Sequence, residues 1–530
     1  MIRKNVAEIL DHHVTFELEA IDRMYLNAYV PSLQTGGGVV YFLKTQLGAR
    51  VPSTVMVAPM TERFVKAIEG FVARAGIDLV TFEKGQRKDD VAQQYLAAFK
   101  GDEGVLFIGK AQEKARVFRT EKRRDPQGKT YPWIIHSTAM PNHYYVYILD
   151  RDFGPLFIKF CSYFPYAAKL CLKGHEWLKR QLTQRGIPFE PLDNGIRSSD
   201  ERAHVQELAD TLDADQIDAV FRKWLGRLPH PFAPAHRAAG YRYQLSILQA
   251  EFALTQVLDR PLTGRHFFEE VIRENLDVGR PDQMQLIFDR RVTRRTPGSF
   301  RTRVLTEGVV PSLHVQYKKS KVKQYHKEGQ ALRTETTIND TYDFEIGRAL
   351  RNLPALREIG FAANRRLLRV EYLSHDCLIG DDHLDTVTQP IVVDTQRVAG
   401  LRFGDRRVLA LMHALCLFAL RPTGFRHRDA RTHMAQLLGR IPATYGAGQT
   451  TYDLRRLRLH GLIERVPRSH QYRITALGAR MALLYVRVYA RGVRPAASLP
   501  TSTGSGRGSH AFELLDADLT NFLQEARLVA

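Results

Sequence analysis

Residues 452–475 read YDLRRLRLHGLIERVPRSHQYRIT, and the period of the apolar residues changes part-way along. Leu454 and Leu457 stand three apart, the spacing of one helical face, and Gly461 supplies the left-handed exit that ends such a helix. Leu462 then packs inward and starts the first of two strands within LIERVPRSHQYRIT, joined by a basic turn that carries Arg468 and His470. The helix face opposite the leucines is expected to present Tyr452, Arg455, Arg456 and Leu459. Working outward, RRVLALMHALCLFAL (406–420) and HRDARTHMAQLLG (427–439) read as two preceding helices, and ALGARMALLYVRVYA (476–490) as a closing one.

The order helix, helix, helix, strand, strand, helix over about 401–494 resembles the winged-helix DNA-binding superfamily. The resemblance implies a third helix lying in the DNA major groove, where Arg455 and Arg456 meet guanine edges or phosphates. It also implies a strand turn from which Arg468 and His470 reach the adjacent groove. Leu459 departs from this pattern, since leucine reads base edges poorly.

The composition agrees with a polyanionic partner. The chain has 530 residues, 77 Lys plus Arg against 57 Asp plus Glu, and a formal charge of +20, a balance that favours nucleic acid or an anionic membrane. A membrane is not expected. MIRKNVAEILDHHVTF lacks the apolar centre of a signal peptide, and VLALMHALCLFAL (408–420) is too short to span a bilayer and contains His413. Cys161, Cys171, Cys377 and Cys416 show no C-x-x-C spacing, so they read as buried thiols of a cytoplasmic protein.

The rest of the chain reads as a multidomain α+β or α/β protein. Residues 1–140 form an α/β part, in which VTFELEAI, VVYFL, DLVTF and GVLFIG read as strands between the helical patterns TERFVKAIEGFVARAG and KDDVAQQYLAAF. Residues 141–200 read as strand, strand, strand, helix, strand, a candidate ribonuclease-H-like core. Residues 201–284 read as mainly helical, and 285–400 as a basic β-rich domain. After the winged-helix segment, residues 495–530 read as a flexible linker followed by a short acidic helix.

Two further stretches are rich in cations. GKAQEKARVFRTEKRR (109–124) offers Lys110, Lys114, Arg119 and Arg123 with Phe118 interleaved, and residues 290–327 offer Arg294, Lys319 and Lys323 with Tyr317 and Tyr325. Strands that mix cations with aromatic rings make a groove for a phosphate backbone and its bases. Lysines that protect a solvated sheet edge account for the same residues. DNA is the expected partner, and RNA is served equally by such a surface.

Three motifs bear on chemistry. GVLFIGKA (104–111) nearly spells a phosphate-binding loop, but Val105 to Ile108 are strand formers and Ala111 lacks the hydroxyl that would hold magnesium. KVKQYHKEGQALRTETTIND (321–340) resembles the Lys-x-Tyr-x-Lys…Leu-Arg-x-Glu strand pair of some plasmid and phage replication initiators, with Tyr325, Lys327, Arg333 and Glu335 at the matching positions. No histidine–hydrophobe–histidine pair occurs among the 19 histidines, and a charged hairpin with Lys–Glu pairs across strands explains the segment as well. The order Asp150 at a strand end, Glu176 in the first turn of a helix and Asp193 at a further strand end is that of ribonuclease-H-like nucleases and transposases. There, carboxylates bridge two magnesium or manganese ions, Mg or Mn, about 4 Å apart. Asp22 and Asp289 are alternatives, and His175 reads as a cap or packing residue. The expected activity is that of a metal-dependent nuclease or recombinase of a mobile element. The alternatives are a non-catalytic DNA-binding regulator or replication initiator, and a binder of structured or guide RNA.

Overall fold

Strands rich in Val, Ile, Phe and Tyr pair here across wide sequence separations. A computed structural model describes residues 6–83, 85–274, 300–307, 310–327, 331–375, 386–393, 396–403, 405–419, 425–440, 445–467 and 469–489. The chain is mixed α/β, and its contacts divide it into two compact units. One comprises Val14–Gly264 with Val304–Asn364; the other comprises Met1–His13, Arg265–Arg303 and Arg365–Ala530. No described helix is long and apolar enough to cross a membrane.

In chain order the first described strands are β1 (Val14–Tyr29), β2 (Leu79–Thr81), β3 (Gly104–Gln112), β4 (Ala115–Arg124), β5 (Thr130–Ala139), β6 (Asn142–Asp150), β7 (Gly154–Cys161), β8 (Ala168–Lys173), β9 (Glu190–Leu192), β10 (Gly195–Ser198), β11 (Gln244–Leu258), β12 (Phe300–Glu307), β13 (Val310–Tyr317), β14 (Ser320–Lys327) and β15 (Ala331–Ile338). Eleven of them make one sheet in the order β12-β13-β14-β15-β11-β1-β8-β7-β6-β3-β2. β2 runs parallel to β3, whereas the pairs from β3 to β14 run antiparallel. Two hairpins, β4–β5 and β9–β10, stand apart from it.

Strands from the segments expected as separate parts at 1–140, 141–200 and 285–400 therefore share one sheet, and no unit boundary falls at 140 or 200. The segment expected to be mainly helical contains β11, most of whose residues are buried. A central strand covered on both faces loses the alternation that marks a half-exposed one, so its apolar run does not announce a strand. VVYFL, expected as a strand, lies in the helix Gly36–Leu47. The Thr35 side chain caps that helix at Gly38 N, and Val39, Phe42 and Leu43 are buried at helical spacing.

In the second unit β16 (Ile391–Val393) pairs with β17 (Gln396–Val398). Downstream come the helix Arg406–Ala419, β18 (Phe425–Arg426), the helices His427–Leu437 and Ala447–Leu459, β19 (Ile463–Arg465), β20 (Gln471–Ile474) and the helix Ala476–Val488. β18, β20 and β19 form a three-stranded sheet. Leu454, Leu457, Leu462, Ile463 and Met481 are buried, and Gly461 has a φ of 73°. Arg294, Arg468, Asp289, Cys377 and the expected linker and helix of 495–530 lie outside the described residues.

Candidate functional site

A bulge in β1 aims one carboxylate. Ile21 pairs with Phe252 and Arg23 with Glu251, so Asp22 is the extra residue and its side chain is redirected from the regular alternation. Beside it, Gly174 opens the helix Gly174–Gln184 so close to β1 that a Cβ there would meet the Ile21 carbonyl oxygen at 2.2 Å. That approach brings His175 against Asp22, with Nδ1 2.6 Å from Oδ1.

The other half of the site comes from the hairpin β14–β15, where Tyr325 is paired with Arg333 and Lys323 with Glu335. Arg333 is buried between two carboxylates. Its Nη2 lies 2.8 Å from Asp22 Oδ1, close enough for an ion pair though not aligned as a hydrogen bond, and its Nε donates to Glu335 Oε1 at 2.7 Å. Nη1 donates to Asn194 O and to Thr255 Oγ1, fixing the β9–β10 turn. The Tyr325 hydroxyl donates to Glu335 Oε1 at 3.2 Å, and the Lys323 ammonium stands 4.2 Å from the centre of the Tyr325 ring.

Burial raises the proton affinity of Asp22, but Arg333 and His175 outweigh it and hold the carboxyl well below the usual range. Burial pushes Glu335 the other way and the neighbouring Asp22 charge adds to that, although Arg333 opposes. Burial also pushes the Tyr325 hydroxyl up, helped by Glu335, and pushes the His175 imidazole down against the pull of Asp22.

Asp22, His175, Lys323, Tyr325 and Glu335 border a cavity of about 810 Å³, whose wall adds Lys173, Lys179, Lys321, Lys327, Glu176 and Asp193. Two of the three carboxylates proposed from sequence order are thus at this site. Lys179 donates to Glu176 Oε1 at 2.8 Å and to the Asp193 carbonyl oxygen at 3.0 Å, while the Asp193 carboxylate is exposed with Lys327 3.7 Å away. Asp150 does not line the cavity. It is buried at the end of β6, accepting from Lys223, from the Trp224 indole and from the amides of Asp152 and Phe153. Its oxygens anchor a turn and a helix. Among the described residues no group of three or more His, Cys, Asp or Glu stands in an arrangement that could hold a metal ion. Arg333 lies against Asp22 and Glu335, Lys179 against Glu176 and Arg23 against Glu251, while Lys327 stands by the Asp193 carboxylate, so each carboxylate of the cavity has a cation beside it.

The nucleic-acid candidates are dispersed. Lys323 lines the cavity; Arg119 and Arg123 are exposed on β4, with Arg123 5.1 Å from the Trp133 ring; Lys110 is half-buried and Lys114 exposed. Lys319 is exposed and paired with Asp340 at 2.7 Å. His470 is exposed. On the helix Ala447–Leu459, Arg455 faces out, but Arg456, expected beside it, is buried. Its guanidinium donates to the carbonyls of Ala399 and Gly400. The exposed face is Thr451, Tyr452, Arg455 and Arg458.

Sequence reading named Asp22 only as an alternative and gave His175 a packing role. The usable signal was the Lys-x-Tyr-x-Lys and Arg-x-Glu alternation, which places Lys323, Tyr325, Arg333 and Glu335 on one face of a hairpin. Comparison of the chain with models of known families, with curated proteins and with solved structures returns no match in any of the three.

Proposed function

We propose that this chain is a nucleic-acid-binding protein that processes DNA, with phosphoryl transfer at the Asp22–Glu335–Tyr325 cluster. The observation that carries the reading is the coincidence, in one cavity, of a hydroxyl bonded to one carboxyl of a pair with five lysines: Lys173, Lys179, Lys321, Lys323 and Lys327. The lysines offset phosphate charge. Glu335, with its raised proton affinity, takes the Tyr325 proton as the phenolic oxygen bonds to phosphorus. The departing strand oxygen breaks from phosphorus and takes a proton from water. Strand cleavage or strand transfer by a mobile element needs such a step. The test is a cleavage assay on single-stranded and duplex DNA with magnesium, with manganese and with chelator, together with Tyr325→Phe and Glu335→Gln. Product from the parent, absent in both variants while DNA affinity is kept, supports the reading. Equal product from Tyr325→Phe removes it.

A second reading is a non-catalytic DNA-binding regulator or replication initiator. It is favoured by the order helix, strand, helix, helix, strand, strand, helix across Arg406–Val488, with a three-stranded sheet, an order that supports the winged-helix resemblance. Duplex binding with no product in any metal selects this reading. Stronger competition by RNA than by DNA selects RNA as the partner.

A further inference from the structure

A second cavity, of about 650 Å³, opens on the same face of the sheet, a size suited to a small ligand rather than a duplex. Residues paired across neighbouring strands lie on one side of a sheet. Lys159 pairs with Lys169, and Lys169 with Asn27 of β1; at the other end of β8, Lys173 pairs with Arg23. Lys169 lines the second cavity and Lys173 the first. Four residues of strand separate them by roughly 13 Å, so one short stretch of single strand reaches both.

The chemistry of the wall is that of a nucleotide site. Lys114, Arg116 and Lys169 make no contact ion pair with a carboxylate among the described residues, and the single acid of the wall, Glu113, which acts on Lys169 only from a distance, is taken by Lys88, Lys159 and the Tyr145 hydroxyl. His143 Nδ1 is buried with no hydrogen-bond partner among the described residues. Opposite stands the base of the β4–β5 hairpin, where the exposed His136 ring lies 4.6 Å from the buried Phe118 ring. Cations without acids recognise phosphate, and a supported ring offers a base a stacking surface.

We propose that this second cavity is a subsite for one phosphate-bearing nucleotide of a single nucleic-acid strand, with Lys114, Arg116 and Lys169 on the phosphate and His136 under the base. The proposal rests on the nucleic-acid-binding reading given above and names its substrate as single-stranded. It makes the cleavage site and the anchoring site two stations on one sheet.

The full chain is titrated with thymidine 5′-monophosphate, with thymidine, and with a short fluorescent oligodeoxythymidine. The monophosphate is expected to bind at least roughly tenfold more tightly than the nucleoside, and Lys169→Ala and Arg116→Ala each to weaken it by roughly tenfold. Lys323→Ala, at the other cavity, is expected to leave monophosphate affinity unchanged. Circular dichroism confirms folding, and Arg116, being exposed, gives a variant that removes no core contact. Monophosphate binding that is absent, or indifferent to both variants, overturns the subsite even where the oligonucleotide still binds. Monophosphate binding lost in both variants, with no oligonucleotide binding by the parent, upholds the subsite and overturns the wider reading.

Discussion

Arg333 is the residue on which the site depends most. Its guanidinium bridges two neighbouring carboxyls, Asp22 buried and Glu335 half-buried, that would otherwise repel each other. Arg333→Met should therefore cost about 3–5 kcal/mol of stability, because it strands buried charge, and adding Asp22→Asn with Glu335→Gln should recover part of the loss; urea unfolding curves read both effects. His143 makes a different prediction. Burial, with help from Lys159, lowers its proton affinity to about 4, against an ordinary value of 6.5. The unfolded chain then binds a proton that the folded one refuses. Stability is fully present above pH 6.5 and falls as the pH drops towards 4. Comparing urea midpoints at pH 7 and pH 4.5 for the parent and for His143→Gln checks this, and the variant should show the shallower dependence. At this scale the sequence was half readable. Tyr325, Arg333 and Glu335 announce themselves by alternation, but Asp22 does not, because a bulge breaks the very period that would have located it.

At the scale of elements, the helix Ala447–Leu459 separates two kinds of arginine. Arg455→Ala with Arg458→Ala should weaken duplex binding and reduce its salt dependence, since exposed cations release counterions. Arg456→Ala should leave affinity alone and lower the melting temperature, since its donors hold the backbone at Ala399 and Gly400. Filter binding at several salt concentrations, set beside thermal melts, distinguishes the two. The helix and both following strands were readable from Leu454, Leu457, Gly461 and the Leu462 register. Which arginine turns inward was not, because the carbonyls that receive it come from a segment more than fifty residues upstream. β11 was missed for a related reason: a strand buried on both faces carries no alternation.

Across the whole molecule, boundaries drawn from composition divide elements that the structure joins. A fragment that begins at residue 401 would lose the carbonyls of Thr386 and Ala399, which meet His460, along with those that meet Arg456. The fragment 386–489 should therefore melt at a higher temperature than 401–489, with the difference read by circular dichroism. In the sheet unit no linker-like composition marks where one part ends, because the strands of β12 to β15 complete a sheet begun at Val14. Sequence reading sees local period and punctuation, whereas this sheet is specified by pairings across hundreds of residues.

The pairing of β1 with β11 ties Thr15 to Val257 across 242 positions, and Arg333 reaches Thr255 across a further 78. A chain emerging from the ribosome exposes β1 long before either neighbour that flanks Asp22 on the β11 side has been made. Contacts so remote in sequence form slowly, and an unpaired strand edge is the form of a protein most prone to aggregate. The candidate site is consequently among the last parts of the sheet to assemble during synthesis. A molecule whose polar cluster closes only with the arrival of β15 carries no assembled cluster until Ile338 has been made.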